Sequence, residues 1–242
     1  MMAREDLTVA GSQFAEIAFR ELDPNAVVTR VTTDGHRAPK GTCLLSVEGS
    51  TRALLSAERV ALNYVQRLSG VASITHRFMS RIEGTGVRLL DTRKTTPGWR
   101  RFEKYAVTCG GGTNHRVGLY DLILIKDNHL AALVDAKPNA IAAAVARARA
   151  AFPKLRVEVE ADTLEQAAQA ADAGADIILL DNMSPAQLRE AVTKIGGRSK
   201  TEASGGVRLD TIRAIAESGV DFISVGALTH SAPAVDIGLD FE

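Results

Sequence analysis

The chain has 242 residues, 45% of them hydrophobic and 24% charged, which predicts a globular protein of one large domain or of a large and a small one. Its 29 basic and 29 acidic residues cancel to a formal net charge of +0, which argues against broad, sequence-independent nucleic-acid binding. The two cysteines, Cys43 and Cys109, lack metal-ligand spacing and predict a reduced, cytoplasmic setting. No run is long and apolar enough to span a bilayer, and "MMAREDLTVAG" lacks the apolar core of a signal peptide.

The first part of the chain, up to residue 50, predicts a small α+β unit. The stretch "GSQFAEIAFREL" has apolar residues near helical spacing. Residues 26–50 alternate β-branched residues with turn signals, which is typical of a short β meander. From Thr51 to Ile82 the pattern predicts a helix that is broken or bent near Gly70.

Six short apolar runs then predict a parallel sheet. The runs are "VRLLD" (87–91), "LILIK" (122–126), "LRVEVE" (155–160), "DIILLD" (176–181), "SKTEASG" (199–205) and "DFISVG" (221–226). Amphipathic helical stretches separate the later runs, at 139–151, 164–173, 185–195 and 209–218. Apolar strands that alternate with helices indicate an α/β fold, and we predict a (β/α) barrel of TIM type, or a barrel-like open sheet, over roughly residues 65–235.

Charged residues follow several of these predicted strands. Arg93 and Lys94 follow the first, Lys126 ends the second, and His115 and Arg116 precede it. Taken singly, each cation is explained as well by a solvated surface position. Because chemistry in such barrels sits at the carboxyl ends of the strands, the set together favours an anion-binding site.

Lys126 ends an apolar run, so we predict that it points into the barrel mouth. A lysine there either pairs with an anion or forms a Schiff base with a carbonyl substrate. Glu160 and Asp181 end the third and fourth strands, where they either pair with Lys126 or hold Mg²⁺ or sugar hydroxyls. The following "DNH" (127–129) is interpreted mainly as loop.

Small residues follow the last two predicted strands and suggest a phosphate site. Late barrel loops often bind phosphate through backbone N–H groups, and glycine lets the backbone approach the anion. The alternative is a pair of tight turns without a ligand. The residues are Ser204, Gly205, Gly206 and Gly226, with His230 as a further candidate at the mouth.

Several motifs together resemble the quinolinate phosphoribosyltransferase family, over nearly the whole chain. They are "ERVALNYVQRLSGVAS", "DTRKTTPG", "GGGTNHRVGLYDLILIKDNH", "VEVE", "ILLDNM", "EASGG" and "SVGALTHSAPAVDIGLD". The resemblance implies an N-terminal α/β sandwich (1–64), an open (β/α) barrel (65–235), and a tail (236–242) that packs on the N-terminal domain. It also implies a homodimer, or an assembly of dimers, that binds neither nucleic acid nor membranes.

The resemblance also implies residue roles. Arg59 matches an arginine that the neighbouring subunit supplies to the active site. The quinolinate pocket corresponds to Arg93, Lys94, His115, Arg116 and Lys126. Glu160 and Asp181 match acids near the ribose hydroxyls and Mg²⁺, and with Lys126 they are the predicted catalytic residues. The phosphate loops correspond to Ser204, Gly205, Gly206 and Gly226, with His230 nearby.

The implied reaction joins quinolinate and phosphoribosyl pyrophosphate to give nicotinate mononucleotide, pyrophosphate and CO₂ in NAD biosynthesis. Two alternatives remain open: a related phosphoribosyltransferase with another acceptor, and a non-catalytic barrel that binds phosphorylated metabolites. The sequence begins within an "AREDGVLAG"-like region of the family, as "AREDLTVAG". From this we expect a shortened form in which the N-terminal sandwich is incomplete.

Overall fold

The computed structural model describes residues 1–241. Its strands are β1 Met2–Ala3, β2 Leu7–Thr8, β3 Val27–Arg30, β4 Arg37–Ala38, β5 Leu45–Glu48, β6 Arg88–Leu90, β7 Ile123–Ile125, β8 Val157–Ala161, β9 Ile177–Asp181, β10 Lys200–Ser204, β11 Phe222–Ser224 and β12 Ile237–Gly238. Its helices are α1 Ser12–Leu22, α2 Thr51–Arg81, α3 Arg100–Cys109, α4 Asp127–Ala131, α5 Ala140–Ala151, α6 Leu164–Asp172, α7 Pro185–Ile195, α8 Ile212–Ala216 and α9 Ala227–His230. Contacts group these elements into two compact units, each discontinuous in sequence.

The first unit contains Met1–Met79, Lys94–Asn114 and the residues that follow Val225. Its strands pair antiparallel as β1 with β12, β2 with β4, and β3 with β5. Its core includes Phe19, Leu45 and Leu62. The residues near 237 therefore complete a sheet that begins at the N-terminal strand. The predicted domain limits at 64/65 and 235/236 stay a prediction, since these units are defined by contacts alone.

The β meander predicted for residues 26–50 is wrong. Strand β4 pairs with β2, whereas β3 pairs with β5, so consecutive strands of this segment are not sheet neighbours. In the β2–β4 pair Leu7 lies opposite Ala38, and only 3% and 1% of these residues are exposed. Burial of these two side chains favours the pairing of β4 with β2. The two strands are far apart in the sequence, so local turn signals do not predict this pairing.

Helix α2 runs without interruption from Thr51 to Arg81, so the break predicted near Gly70 is not found. Gly70 instead allows another segment of the chain to pass close to the helix backbone. A Cβ atom built there would lie 2.0 Å from the carbonyl oxygen of Pro233, a distance that no side chain tolerates. The glycine lets the chain at Pro233 cross the helix backbone at short range.

The second unit contains Ser80–Arg93 and His115–Val225. Its six strands form one parallel sheet in the order β6-β11-β10-β9-β8-β7, with each predicted apolar run present as a strand. The edge strands β6 and β7 follow each other in the sequence and are not paired, which leaves the barrel open between them. The predicted mixed α/β class with an open barrel sheet is confirmed.

The helices between the later strands are those that the sequence predicts, with one change of length. Helices α6 and α7 begin after Thr163 and Ser184, whose side chains each accept the N–H group three residues on, as N-caps do. Helix α8 is shorter than predicted, covering Ile212–Ala216 rather than 209–218. Helices α3 and α9 were not predicted. Among residues 1–241, no helix has both the length and the apolar character that crossing a membrane requires.

Candidate active site

The carboxyl end of the second unit's sheet carries polar side chains from four adjacent strands. Lys126 directly follows β7, Glu160 lies near the end of β8, and Asp181 and Ser204 end β9 and β10. Ser204 is the register partner of Asp181, and Glu160 is the partner of Leu179. Because register partners share a face and residues two apart do too, Glu160, Asp181 and Ser204 project to the same side. The structure therefore brings these predicted residues to one edge.

Lys126 and Glu160 form an ion pair in which Nζ donates to Oε2. The lysine side chain is 45% exposed, whereas the glutamate is 10% exposed. Schiff-base lysines are usually activated by an apolar pocket or by a second cation. A half-exposed ammonium group held against a carboxylate favours the alternative role, that of pairing with anions.

The segment after Lys126 is a short helix rather than the predicted loop. Helix α4 begins at Asp127, and its N-cap is Lys126 in an extended conformation. The backbone N–H of Lys126 donates to Nδ1 of His129 at 2.9 Å, which closes the first turn. His129 thus holds the backbone of the lysine that enters the site, a role that the sequence did not indicate.

His115 contacts two buried glutamates, Glu158 of β8 and Glu202 of β10. Its Nε2 lies 3.0 Å from Oε2 of Glu158 and 3.4 Å from Oε2 of Glu202. Both glutamates are 0% exposed. Its other ring nitrogen, Nδ1, accepts the backbone N–H of Arg116 at 2.7 Å, and its own backbone N–H donates to Oδ1 of Asp91 at 2.8 Å.

Burial lowers the pKa of His115, whereas its contacts with Glu158 and Glu202 raise the pKa, and these contacts favour a hydrogen on Nε2, the nitrogen that faces both carboxylates. Burial also raises the pKa of Glu158, with the charge of Glu202 acting in the same direction. Since Nδ1 of His115 accepts a hydrogen bond, the ring hydrogen is on Nε2, on the side of the two carboxylates.

Arg93 and Arg116 bring two guanidinium groups into the same region of the second unit. Burial and then the positive charge of Arg93 lower the pKa of Arg116, while Glu158 and Asp121 oppose that change. The Arg116 side chain donates through Nη1 to the carbonyl oxygen of Leu122 at 3.3 Å. Two cations that act on each other in this way repel unless an anion lies between them, so this arrangement is typical of an anion site.

The loop after β10 turns on Gly205 and Gly206, with φ of 93° and 59°. Asn182, which follows β9, has φ of 54°, and its Nδ2 donates to Oδ2 of Asp181 at 2.6 Å. A Cβ atom at Gly205 would lie 2.1 Å from Oδ1 of Asn182 and 2.9 Å from its backbone nitrogen. Consecutive left-handed residues turn backbone N–H groups outward, as in anion-binding nests.

Gly205→Ala is expected to lower the free energy of unfolding by about 1–3 kcal/mol, because an alanine there combines left-handed strain with a clash against Asn182. Gly206→Ala is the matched control, since its Cβ would meet nothing within 4 Å and adds only the strain of the left-handed conformation, about 1–2 kcal/mol. Urea unfolding of both variants measures the difference. Equal destabilisation would show that the approach to Asn182 imposes no constraint.

Lys94, Gly226 and His230 lie together in the first unit. A Cβ atom at Gly226 would lie 3.1 Å from Cδ of Lys94 and 3.2 Å from Nε2 of His230. The hydroxyl of Thr229 donates to the carbonyl oxygen of Lys94 at 2.7 Å, which fixes the lysine backbone. An exposed lysine and an exposed histidine thus flank a glycine at the start of α9. Arg59 is also exposed, on helix α2.

A buried ion pair in the same unit supports the Lys94 segment. Arg67 of α2 donates to Oε1 of Glu103 at 2.6 Å, and to the carbonyl oxygens of Ala232 and Thr229, each at 2.5 Å. Glu103 is 0% exposed, and its carboxylate also accepts the N–H and the hydroxyl of Thr96 at 3.0 and 2.8 Å. The pair therefore joins α2 and α3 to the segment that follows Lys94, through Thr96, and to α9 and the segment after it, through Thr229 and Ala232.

Several of these functional contacts escaped the sequence analysis. Glu158 and Glu202 each precede a predicted site residue, Glu160 or Ser204, by two positions, so strand alternation could have placed them on the same face. Asn182 lies within a quoted motif, but nothing local signals its left-handed backbone. Arg67 lies in a helix whose partners are distant in sequence, and no pattern predicts them.

An open parallel barrel sheet with cations, two carboxylates and a glycine turn at its carboxyl edge defines an α/β-barrel protein with an anion-binding site. Comparison with known families is more specific. The chain matches the model of the C-terminal domain of quinolinate phosphoribosyl transferase over residues 71–240, and the model of its N-terminal domain over residues 1–69. The chain belongs to the quinolinate phosphoribosyl transferase family.

Individual relatives agree with this assignment. A probable nicotinate-nucleotide pyrophosphorylase (carboxylating) of Bacillus subtilis is 43% identical over 241 residues, which cover 99% of this chain and 82% of the relative. The corresponding protein of Mycobacterium leprae is 43% identical over 246 residues, with 99% and 84% covered. The solved structure of nicotinate-nucleotide pyrophosphorylase from Ehrlichia chaffeensis is 39% identical, covers 100% of this chain and 86% of that one, and superposes with a TM-score of 0.93.

Proposed function

We propose that the protein is a decarboxylating quinolinate phosphoribosyltransferase. It transfers phosphoribose from phosphoribosyl pyrophosphate (PRPP) to quinolinate and yields nicotinate mononucleotide, pyrophosphate and CO₂ in NAD biosynthesis. The observation that carries this proposal is the sheet edge that presents Lys126, Glu160 and Asp181, in the unit that also contains Arg93 and Arg116. Family membership supplies the choice of substrates.

The cations bind and orient the acceptor. Quinolinate is a planar dicarboxylate, and a guanidinium group matches a carboxylate through two parallel hydrogen bonds. Arg93 and Arg116 are the groups we assign to its carboxylates, and the half-exposed ammonium group of Lys126 adds a third positive charge. An anion between the two guanidinium groups replaces their repulsion with attraction. Binding therefore fixes the ring with its nitrogen ready to attack.

The carboxylates act on the ribose. Departure of pyrophosphate from PRPP leaves positive charge on the anomeric carbon and the ring oxygen, an oxocarbenium-like state. Glu160 and Asp181 project from the same sheet edge and would stabilise that charge by electrostatics that are already in place. Much of the rate comes from holding the quinolinate nitrogen in line with the anomeric carbon. No side chain acts as a nucleophile, and no covalent intermediate forms on the protein.

Decarboxylation follows on the nucleotide. Once its nitrogen is bonded to ribose, the pyridine ring is cationic and accepts the electron pair of the breaking bond between C2 and the carboxylate carbon. CO₂ leaves, and a proton from solvent replaces it at C2. The pyrophosphate and phosphate groups of PRPP each need a binding site. In the second unit, the glycine turn at 205–206 is the candidate site for one of these groups.

Glu160 and Asp181 also suit a magnesium ion bound with PRPP. Mg²⁺ is commonly held by one or two carboxylates together with substrate phosphate oxygens, and these two residues supply the carboxylates on one face. The ion would neutralise the departing pyrophosphate. We expect that EDTA abolishes turnover and that added Mg²⁺ restores it. Asp181→Asn should raise the Mg²⁺ concentration needed for half-maximal activity, and an unchanged requirement would remove this residue as a ligand.

The test of the function is incubation of the protein with quinolinate, PRPP and Mg²⁺, with nicotinate mononucleotide and CO₂ followed separately. Formation of both products in equal amounts supports the proposal. Product from another acceptor, with none from quinolinate, would establish a related phosphoribosyltransferase instead. Saturable binding of PRPP by a folded sample without any product would show a barrel that binds phosphorylated metabolites without turnover.

The functional form we propose is a homodimer that shares active-site residues. Arg59 lies on the exposed side of α2, and its neighbours Leu55 and Val60 are 57% and 51% exposed, so this face offers apolar area to a second copy. We also place the enzyme in the cytoplasm, where its free cysteines Cys43 and Cys109 stay reduced.

Sharing of Arg59 predicts complementation between two inactive variants. Arg59→Ala and Lys126→Ala are each expected to lose activity, but their mixture, unfolded and refolded together, should regain about a quarter of the wild-type activity, since half of the dimers carry one intact site. Each variant refolded alone is the control. Activity that never rises above the two single variants would place Arg59 in the site of its own chain or outside it.

A further inference from the structure

We propose that Glu158 and Glu202 are positioning residues for quinolinate binding: they hold the imidazole of His115, which in turn fixes the backbone of Arg116. This inference rests on the proposed function for its substrate. It concerns residues that the reaction itself does not touch.

The two glutamates are buried beside the imidazole of His115. Both are 0% exposed, and none of their four carboxylate oxygens has a hydrogen bond of good geometry within residues 1–241. The close polar neighbour is Nε2 of His115, at 3.0 Å from Glu158 and 3.4 Å from Glu202. Buried carboxylates without partners are costly, so a protein that keeps two of them beside one imidazole uses them to hold that ring.

The imidazole faces the carboxylates with a proton on Nε2. Nδ1 accepts the N–H of Arg116 at 2.7 Å, so it carries no hydrogen, and the ring hydrogen lies on the side of the glutamates. Both ring nitrogens are therefore occupied by protein groups. His115 has no free nitrogen to offer a substrate, and it acts through its neighbour.

The same geometry argues against a metal ion among these three residues, although their ligand atoms lie within 4.8 Å of one another. A histidine that ligates a metal through one nitrogen normally donates a hydrogen bond from the other. Here Nδ1 accepts, which leaves the hydrogen on Nε2 and its lone pair unavailable.

The contacts of His115 connect strands on both sides of the opening in the barrel. The backbone N–H of His115 donates to Asp91, just beyond β6, while its ring reaches β8 and β10. β6 and β7 do not pair, so the loop that carries Arg116 gains this fixed point from the glutamates rather than from a sheet ladder. The positive charge of Arg93 acts on Arg116, and repulsion between the two would displace an unsupported loop. The negative charge of the buried cluster offsets that repulsion before substrate arrives.

Glu202→Gln and Glu158→Gln test the proposal, with Glu190→Gln, an exposed glutamate of α7, as the control. We expect each buried variant to raise the dissociation constant for quinolinate, measured calorimetrically without PRPP, by about tenfold or more, because the orientation of Arg116 is lost. The KM for PRPP should change less than the KM for quinolinate. Equal affinities for quinolinate in the buried variants, the control and the wild type would overturn the proposal.

A second measurement uses the wild-type protein and so does not depend on a variant that folds. Long-range ¹H–¹⁵N NMR correlations, assigned with His115→Asn, report which ring nitrogen carries the hydrogen. We expect the hydrogen on Nε2, with this signature altered in Glu202→Gln. A hydrogen on Nδ1, or stoichiometric metal in the purified protein that is lost in Glu202→Gln, would overturn the inference. If the wild type binds quinolinate but makes no nicotinate mononucleotide, the proposed function fails while the positioning role stands.

Discussion

Lys126→Ala is expected to lower turnover by about 10³-fold, the loss typical when one preorganised charge is removed from an active site. The ammonium group contacts Glu160, one of the two carboxylates that we assign to the ribose. Its loss removes a charge that binds the anionic substrates and leaves Glu160 without its partner. The measurement is the rate of nicotinate mononucleotide formation at saturating quinolinate, PRPP and Mg²⁺.

The fold should survive this change, because the lysine side chain is 45% exposed and exposed ion pairs contribute at most about 1 kcal/mol. Lys200→Ala is the matched control. Lys200 begins β10, at the opposite end of the sheet, where it pairs with Asp221 at 2.6 Å. It removes a lysine–carboxylate pair of the same kind and should leave turnover unchanged. A Lys126→Ala enzyme that keeps normal turnover would remove this residue from the site.

Arg67→Ala is expected to destabilise the protein by about 3–5 kcal/mol, as the removal of one partner from a buried ion pair does. Glu103 is 0% exposed, so without Arg67 its charge would stay buried and would lose its ion-pair partner, although Thr96 still donates to it. The carbonyl oxygens of Ala232 and Thr229 would lose their donor as well. Urea unfolding followed by circular dichroism measures the loss.

Arg213→Ala provides the contrast for this prediction. Arg213 pairs with Glu217 one helical turn away, and the two side chains are 51% and 55% exposed, so its removal should shift the urea midpoint little. A double variant, Arg67→Met with Glu103→Gln, removes both charges and should recover part of the stability. If Arg67→Ala were no less stable than Arg213→Ala, the buried pair would not be a structural tie.

The sheet of the second unit was predictable from the sequence because most of its strands are short apolar runs and the later ones are separated by amphipathic helices. Residues such as Val157 and Val159, both 0% exposed, make these runs unmistakable. Helix α3 was missed because "RRFEKYAVTC" is strongly polar and begins after Trp99, which makes no side-chain cap. Its stability depends on the burial of Glu103 against Arg67, a contact between distant parts of the sequence.

The candidate site was predictable where a residue follows a strand, and less so where geometry depends on neighbours. Lys126, Glu160 and Asp181 were identified by position alone, and the structure places them at one edge. The partner of His115 was not identified, since nothing in "GGGTNHR" indicates that its imidazole reaches Glu158 and Glu202. Pairing across a loop is decided by tertiary packing, which sequence spacing does not record.

The strand order of the sheet has a consequence for synthesis of the chain. Strands β7, β8, β9, β10 and β11 each find a neighbour in the strand made just before or after, whereas β6 pairs only with β11. β6 is thus the first strand of the sheet to leave the ribosome, and it cannot pair until β11, the last strand of the sheet, has been made. Contacts between such distant segments slow folding, and an unpaired strand edge is a site of association with other chains. Growing chains of this protein therefore carry an open edge until β11 emerges, which makes them candidates for chaperone binding.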